Sequence, residues 1–489
     1  MIGRNPVMLK SDSLNKFREI VGKDNLLTEK EDLLTYAYDG TQMLRQLPEA
    51  ILIPHTTEEI SQIMKYCNQE RIPVVPRGSG TGLSGGSIPV EGAIVLLLNQ
   101  LDKILEIDSE NMTIWVETGV ITSSIHQAVE KIGLFYPPDP GSMGISTIGG
   151  NVAENSGGLR GLKYGVTRNY VLGMEVVLPN GDIIHTGNKC AKDVAGFSIK
   201  DVFIGSEGTL GIVTKILLKV IPKPEAKKTI LAYFKEMDSA AKTVSAIIAA
   251  HIIPTTLEFL DHITIECVEN YSHIGLPLDM GAVLLIEVDG AATVVEKEAQ
   301  QVIEICQQHS AAEFHLAKDN EESLRFAAAR RNAFPALARF KPTTILEDAT
   351  VPRSAIAPML AEIHRIAEKY NLMIGTFGHA GDGNLHPTCL TDERDKDEIE
   401  RAEKAFNEIF EKAVALGGTI TGEHGVGLSK RAFLPKQLGD PGIAFMQSMK
   451  DVLDPNHILN PGKVFSLHPR CEGLLPQSRE QIPDTPEKK

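Results

Sequence analysis

The sequence predicts an α+β chain of two main domains, and three observations carry that prediction. Its 489 residues suffice for two or three domains at about 100 to 200 residues each. Strand and helix patterns alternate along the chain, with no long block of one kind. Pro222 and Pro224, two residues apart within 221–224, cannot continue a helix or a central strand and mark a boundary. The expected division is 1–47 as an N-terminal helical segment, 48–224 and 225–467 as the two domains, and 468–489 as a tail.

An N-terminal helix pattern precedes a strand at 50–53. Thr56 or Thr57 then opens a helix with Glu58 and Glu59 in its first turn, and a strand at 73–75 completes a β-α-β start. From Pro76 to about Thr214 the chain is dense in glycine, and short runs at 93–98, 113–117, 174–178, 183–185, 202–204 and 211–218 fit a mixed sheet. Beyond the boundary, 235–250 reads as a helix and 281–288 as a strand. The clearest helix is 397–416. Its Ile399, Ala402, Phe406, Ile409, Phe410, Ala413 and Val414 recur at helical spacing toward a core, and Gly417 sits where a left-handed cap ends a helix. Residues 472–489 are polar and carry Pro476, Pro483 and Pro486, which predicts a loose tail.

Charge narrows the function. Lys and Arg number 49 against 64 Asp and Glu, a net −15, and a field of that sign argues against nucleic-acid binding. An anionic ligand would need a local basic pocket. The longest apolar runs, 93–98 and 246–253, fall short of the roughly 20 residues of a membrane-spanning helix. The six cysteines contain no C-x-x-C pair, so no iron–sulfur cluster, zinc ribbon or disulfide framework is expected. Residues 1–10 carry Arg4 and Lys10 with no apolar stretch behind them, and the protein is expected to stay in the cytoplasm.

RGSGTGLSGG, residues 77–86, holds Gly80, Gly82 and Gly85 at the spacing of a dinucleotide fingerprint. That fingerprint needs a helix directly after the glycines, whereas Pro89, Gly92 and a strand follow here. What remains is either a plain surface turn or a loop whose bare backbone N–H groups form an anion-binding nest. Further glycine clusters at 137–142, 148–158, 161–165 and 205–211 favour one extended ligand over isolated turns.

The second half holds GHAGDGNLH, residues 378–386. Asp382 and Gly383 signal a two-residue hairpin turn that pairs 379 with 386, so His379 and His386 would face each other as a structural pair or as ligands of one metal ion. TGEHGVG, residues 421–427, adds Glu423, and two histidines with one carboxylate suit a divalent ion of the Zn or Mn type. His424, beside that ligand, is a candidate general base. Arg330 and Arg331, on one helix expected to run to Lys341 and Pro342, are either a solvated face or the cation for an anionic substrate.

The glycine clusters resemble the FAD-binding domain of the vanillyl-alcohol oxidase and p-cresol methylhydroxylase (PCMH) superfamily. The whole pattern, from about residue 10 to 467, resembles the FAD-linked 2-hydroxyacid dehydrogenases, which include the glycolate oxidase D subunit and D-lactate dehydrogenases. The resemblance implies a two-subdomain FAD-binding domain of the PCMH type followed by a FAD-linked oxidase C-terminal domain. It implies non-covalent FAD on Arg77, Gly78, Ser79, Gly80, Thr81, Gly82, Ser84, Gly85, Pro140, Gly141, Ser142, Gly149, Gly150, Asn151 and Asn155. Gly158, Tyr164, Gly165, Glu207, Gly208, Gly211, Ile212 and Asn460 complete that implied set. It also implies His379, His386 and Glu423 as metal ligands, His424 as catalytic base and Arg330 for the substrate carboxylate. The implied activity is oxidation of a small anionic 2-hydroxy acid, glycolate or D-lactate, with an iron–sulfur subunit or quinone as electron sink. A non-catalytic flavin subunit and a D-2-hydroxyglutarate dehydrogenase are the alternatives. Phe334 and Leu346 stand where dicarboxylate-using relatives carry Thr and Lys, which disfavours the latter.

Overall fold

The computed structural model describes residues 9–41 and 43–465; the predicted tail and Cys471 lie outside the described residues. Among these, no helix is long and apolar enough to cross a membrane. Among the described residues three large sheets and a two-stranded one, Leu134–Phe135 with Ile221–Pro222, organise the fold. In the first, Ala50–Leu52, Ile94–Leu97 and Val74–Arg77 run parallel, with Leu26–Leu27 antiparallel at one edge. The β-α-β start forms as expected: Thr56 caps the helix Thr57–Glu70 by accepting from the Glu59 N–H at 3.1 Å.

The second sheet is antiparallel, in the order Ile104–Asp108, Thr113–Glu117, Ile212–Lys219, Val171–Val177, Ile183–Gly187. The glycine-dense stretch thus feeds two sheets, the mixed first one and the antiparallel second, not one single sheet. Residues 202–204 also differ from expectation: Lys200–Phe203 is a short helical turn. An apolar run of three residues has no period to read, and Phe203 drops into the core against Val176 and Val213.

The third sheet is antiparallel and larger, with Ala226–Phe234, Ala282–Gly290, Thr256–Asp261, Met373–His379 and Asn384–Thr391 at its centre. Helices cover both faces. Met237–Ala249, Ala292–Gln308, Ile356–Tyr370 and Lys396–Ala415 close one core, and His262–Ser272, Asn320–Arg331 and Ala333–Phe340 close the other. Alternation along the strands serves both: Ile230, Ala232 and Phe234 face the first core, Leu231 and Tyr233 the second. The helix predicted at 397–416 is there, burying Ile399, Phe406, Ile409 and Phe410, and Gly417 takes φ +82° at its end.

The chain finally returns to the first sheet. The Val74 N–H donates to the Ile458 carbonyl and the Asn460 N–H to the Val74 carbonyl, both at 2.7 Å. Lys450, buried, ties the Thr209 and Leu459 carbonyls to the Asp454 carboxylate.

Gly383 turns the hairpin between Met373–His379 and Asn384–Thr391 with φ +87°, and a Cβ there would collide with the Val351 carbonyl oxygen. Gly383→Ala should therefore destabilise the protein by about 1–3 kcal/mol, read as a lower denaturation midpoint.

Candidate active site

The His379 and His386 strands pair in a register different from the expected one. His379 pairs with Asn384 and Phe377 with His386, so the connection is the four residues 380–383, not a two-residue turn. The shift is of two residues. Because side chains alternate with period two, both histidines stay on one face as diagonal neighbours, ring centroids 5.2 Å apart. Glu423 Oε1 lies 3.1 Å from His379 Nε2 and 3.3 Å from His386 Nε2. The donor atoms of the three residues fall within 4.8 Å of one another, a set of two nitrogens and one carboxylate that fits a divalent ion.

Glu258, in the strand Thr256–Asp261 and 0 % exposed, supports this set from behind. One of its oxygens meets His379 Nδ1 at 2.7 Å and the other meets Arg330 Nε at 2.5 Å. Burial raises the Glu258 pKa, but His379 and Arg330 outweigh it and hold the carboxylate below its ordinary range. Burial likewise opposes charge on Glu423 and on His379, and their opposite charges prevail: Glu423 sits well below and His379 well above the usual value.

Arg330 is buried at the end of Asn320–Arg331, its guanidinium 4.6 Å from the centroid of the Phe377 ring. The single helix expected through 341 is two helices, because Pro335 has no N–H and its ring excludes the carbonyl four residues back; the break falls at Asn332. Arg331 is exposed, yet reaches the same cavity wall.

The loop of Glu423 and His424 hangs on Asp348. That fully buried carboxylate accepts from the N–H groups of Gly422, Glu423 and His424 at 2.7, 3.0 and 2.9 Å, and from the Thr421 hydroxyl. Burial alone would raise its pKa, but Lys430, His424, His386 and the backbone donors hold it well below. His424 stacks on His386 with 5.1 Å between centroids. Its Nδ1 stands 3.7 Å from Asp348, and burial takes its imidazolium down to about 4, leaving a neutral ring.

These residues form one end of a cavity of about 850 Å³. Of the residues predicted for the cofactor, Arg77, Gly78, Ser79, Gly80, Thr81, Gly82, Pro140, Gly141, Ser142, Gly149, Gly150, Asn151, Glu207, Gly208, Gly211 and Ile212 line it. Arg330, His379, His386, Glu423 and His424 line it too, as do Phe334 and Leu346. A Cβ placed on Gly141 or Gly144 would meet nothing within 4 Å, and the buried Ser146 hydroxyl has no protein partner. Bare backbone, an unspent hydroxyl and this volume fit an extended dinucleotide such as FAD.

Seven predicted cofactor contacts do not line the cavity. Ser84 lies behind its loop, its carbonyl accepting from Leu428, and Gly85 backs onto the same leucine. Asn155 ends the helix Ile148–Glu154 in the left-handed region and receives the Arg168 N–H; Gly158 backs onto Asp139. Tyr164 donates to Asp289 across the two halves, and Gly165 turns against Asn169. Asn460 bridges the Gly86 and Glu207 carbonyls at 2.9 and 2.8 Å. These glycines and amides shape the chain around the cavity, a role that composition cannot separate from ligand contact. Sequence reasoning also missed Glu258 and Asp348. A lone carboxylate inside the apolar run TLEFL was the available signal for Glu258, since such a charge must be paired.

Comparison with known proteins agrees with this architecture. The family profile described as "FAD linked oxidases, C-terminal domain" matches residues 223–464, and "FAD binding domain" matches 48–187. The chain belongs to the FAD-linked oxidases, flavoprotein oxidoreductases with a PCMH-type FAD-binding domain. It is 56% identical over 459 residues to glycolate oxidase subunit GlcD of Bacillus subtilis, covering 94% of this chain and 98% of that protein. Glycolate oxidase subunit GlcD of Escherichia coli is 38% identical, covering 96% and 94%. A D-lactate dehydrogenase of Anaerostipes hadrus is 35% identical, covering 93% and 97%. The fold matches p-cresol methylhydroxylase with a TM-score of 0.77 at 20% identity, over 93% of this chain and 96% of that one.

Asp348→Asn should cost about 3–5 kcal/mol at neutral pH, because Lys430 loses one of two buried carboxylate partners and three backbone N–H groups lose a charged acceptor. A carboxylate held below its ordinary pKa contributes stability that is present above about pH 4 and lost as pH falls further. The difference between wild type and variant, measured by denaturant titration, should therefore shrink below that pH.

Proposed function

We propose that this protein oxidises a small 2-hydroxy acid, glycolate or D-lactate, to the 2-oxo acid with FAD as the oxidant. One observation carries the reading: a buried arginine, a neutral histidine and a metal-type donor set share one end of a cavity whose remaining wall is glycine-rich backbone. The names of the relatives, glycolate oxidase subunit and D-lactate dehydrogenase, point the same way.

Bound FAD would supply the hydride acceptor, and a divalent ion on His379, His386 and Glu423 would supply positive charge beside the substrate hydroxyl. The protein's own groups do the rest. Arg330, its Nε engaged by Glu258, offers the two Nη nitrogens to the substrate carboxylate, a bidentate fit. His424, kept neutral by burial, takes the hydroxyl proton, and Asp348 steadies its loop through three backbone N–H groups. Phe334 and Leu346 present apolar walls where a second carboxylate would need a cation, which favours a short monocarboxylate. Electrons would leave through a partner subunit with an iron–sulfur centre or through a quinone, a reading supported by relatives named as subunits. A cytoplasmic location, directly or on such a partner, goes with it.

Anaerobic addition of glycolate or D-lactate should bleach the visible absorption of the FAD-loaded protein; a yellow protein that neither acid bleaches refutes the assignment. His424→Ala should slow that bleaching by about 100-fold or more while the FAD spectrum persists. Chelation should abolish turnover before any unfolding, with Zn or Mn restoring it; unfolding that precedes loss of activity would make the ion structural.

A further inference from the structure

We infer that Glu258 is a positioning residue that couples substrate-carboxylate recognition to metal affinity, by holding Arg330 with one oxygen and His379 with the other. The inference rests on the roles proposed above for Arg330 and for the His379, His386 and Glu423 set.

The geometry is restrictive. Glu258 is 0 % exposed, on a central strand, and its two oxygens face two different donors, Arg330 Nε and His379 Nδ1. A carboxylate accepts only, so each contact requires an N–H on the other side. For His379 this holds a proton on Nδ1 and leaves Nε2, which points to Glu423 at 3.1 Å, as the nitrogen that gives up its proton to ligate. A metal-ligating imidazole needs that tautomer, and a carboxylate on its far nitrogen raises its basicity. For Arg330 the same residue occupies Nε and, with Phe377 against the guanidinium face, fixes the plane of the fork. One side chain therefore sets the tautomer of a ligand and the plane of the anion-binding fork.

An amide cannot replace it. Glutamine offers one acceptor and one donor, so in either orientation one of the two N–H groups meets another N–H, and the remaining contact loses its charge assistance. Aspartate keeps both acceptors on a shorter stem. Glu258→Gln is expected to weaken both functions, and Glu258→Asp to lie between it and wild type.

The test uses the FAD-loaded, Zn- or Mn-loaded protein with two readouts. One is the rate at which a chelator removes the ion without substrate; the other is KM and kcat for glycolate or D-lactate. Glu258→Gln should release the ion about 10-fold faster or more and also raise KM, with FAD absorbance intact. Arg330→Met should raise KM without changing ion release, and His386→Ala should speed ion release. The coupling is overturned if Glu258→Gln leaves either readout at the wild-type value while His386→Ala releases the ion quickly. It is also overturned if Glu258→Asp and Glu258→Gln both lose FAD and lose both functions equally, the mark of a purely structural residue. If His386→Ala holds the ion as wild type does, the proposed ligand set itself falls and takes the coupling with it.

Discussion

Two backbone N–H groups, of Val426 and Gly427, end on the carboxylate of Glu207 at 2.7 and 2.6 Å, and the joint between the two halves of the cavity depends on that contact. The cavity belongs to neither half alone. Glycine loops form one wall and the histidine-bearing sheet the other, so their spacing must be fixed to within a hydrogen-bond length for both to act on one ligand. Glu207 does this beside Glu423 and His424, which lie two to four residues before the N–H groups it holds. Asp348 holds the same loop from the opposite side. The loop is thus pinned through its backbone by two buried carboxylates, Glu207 and Asp348, and the Glu423 and His424 side chains face the cavity.

That arrangement has an electrostatic logic suited to an acidic protein. With a net charge of −15, any anionic ligand enters against the overall field. The site answers locally: Arg77, Arg330 and Arg331 line the cavity, and Arg330 is held in place there by its buried pair with Glu258. Buried pairs of this kind contribute little net stability, but losing one partner is expensive, which keeps the geometry unique. His424 and His386 are pushed the other way, toward the neutral ring, by burial in the same crowded charge network.

The architecture was legible because its signals are periodic. The capped helix after Thr56, the long helix around Phe406 and the strands about Ile94, Trp115 and Leu284 follow from hydrophobic spacing and turn residues. Chemical identity, a carboxylate next to a histidine between glycines, singled out His379, His386, Glu423 and His424. Register was not legible: the Asp-Gly pair suggests a tight turn, but the Val351 backbone packed against Gly383 selects a longer one. Nor was the difference between a glycine that lines the cavity and one, like Gly158, that lets two backbones touch. Both depend on backbone that is close in space but tens of residues away in the chain, Val351 for Gly383 and Asp139 for Gly158. Glu258 and Asp348 escaped for the same reason, since a supporting carboxylate is defined only by what it supports.

The return of the chain to the first sheet bears on the order of assembly. The strand that launches the 77–86 loop is flanked by Leu459, which arrives after nearly the whole polypeptide has been made. During synthesis the first sheet can form all four of its strands early, yet the edge beside Val74 stays uncovered until residues 458–460 emerge. The loop that Asn460 braces through the Gly86 carbonyl is then finished last as well. A product truncated before residue 460 would lack this brace on the cavity wall.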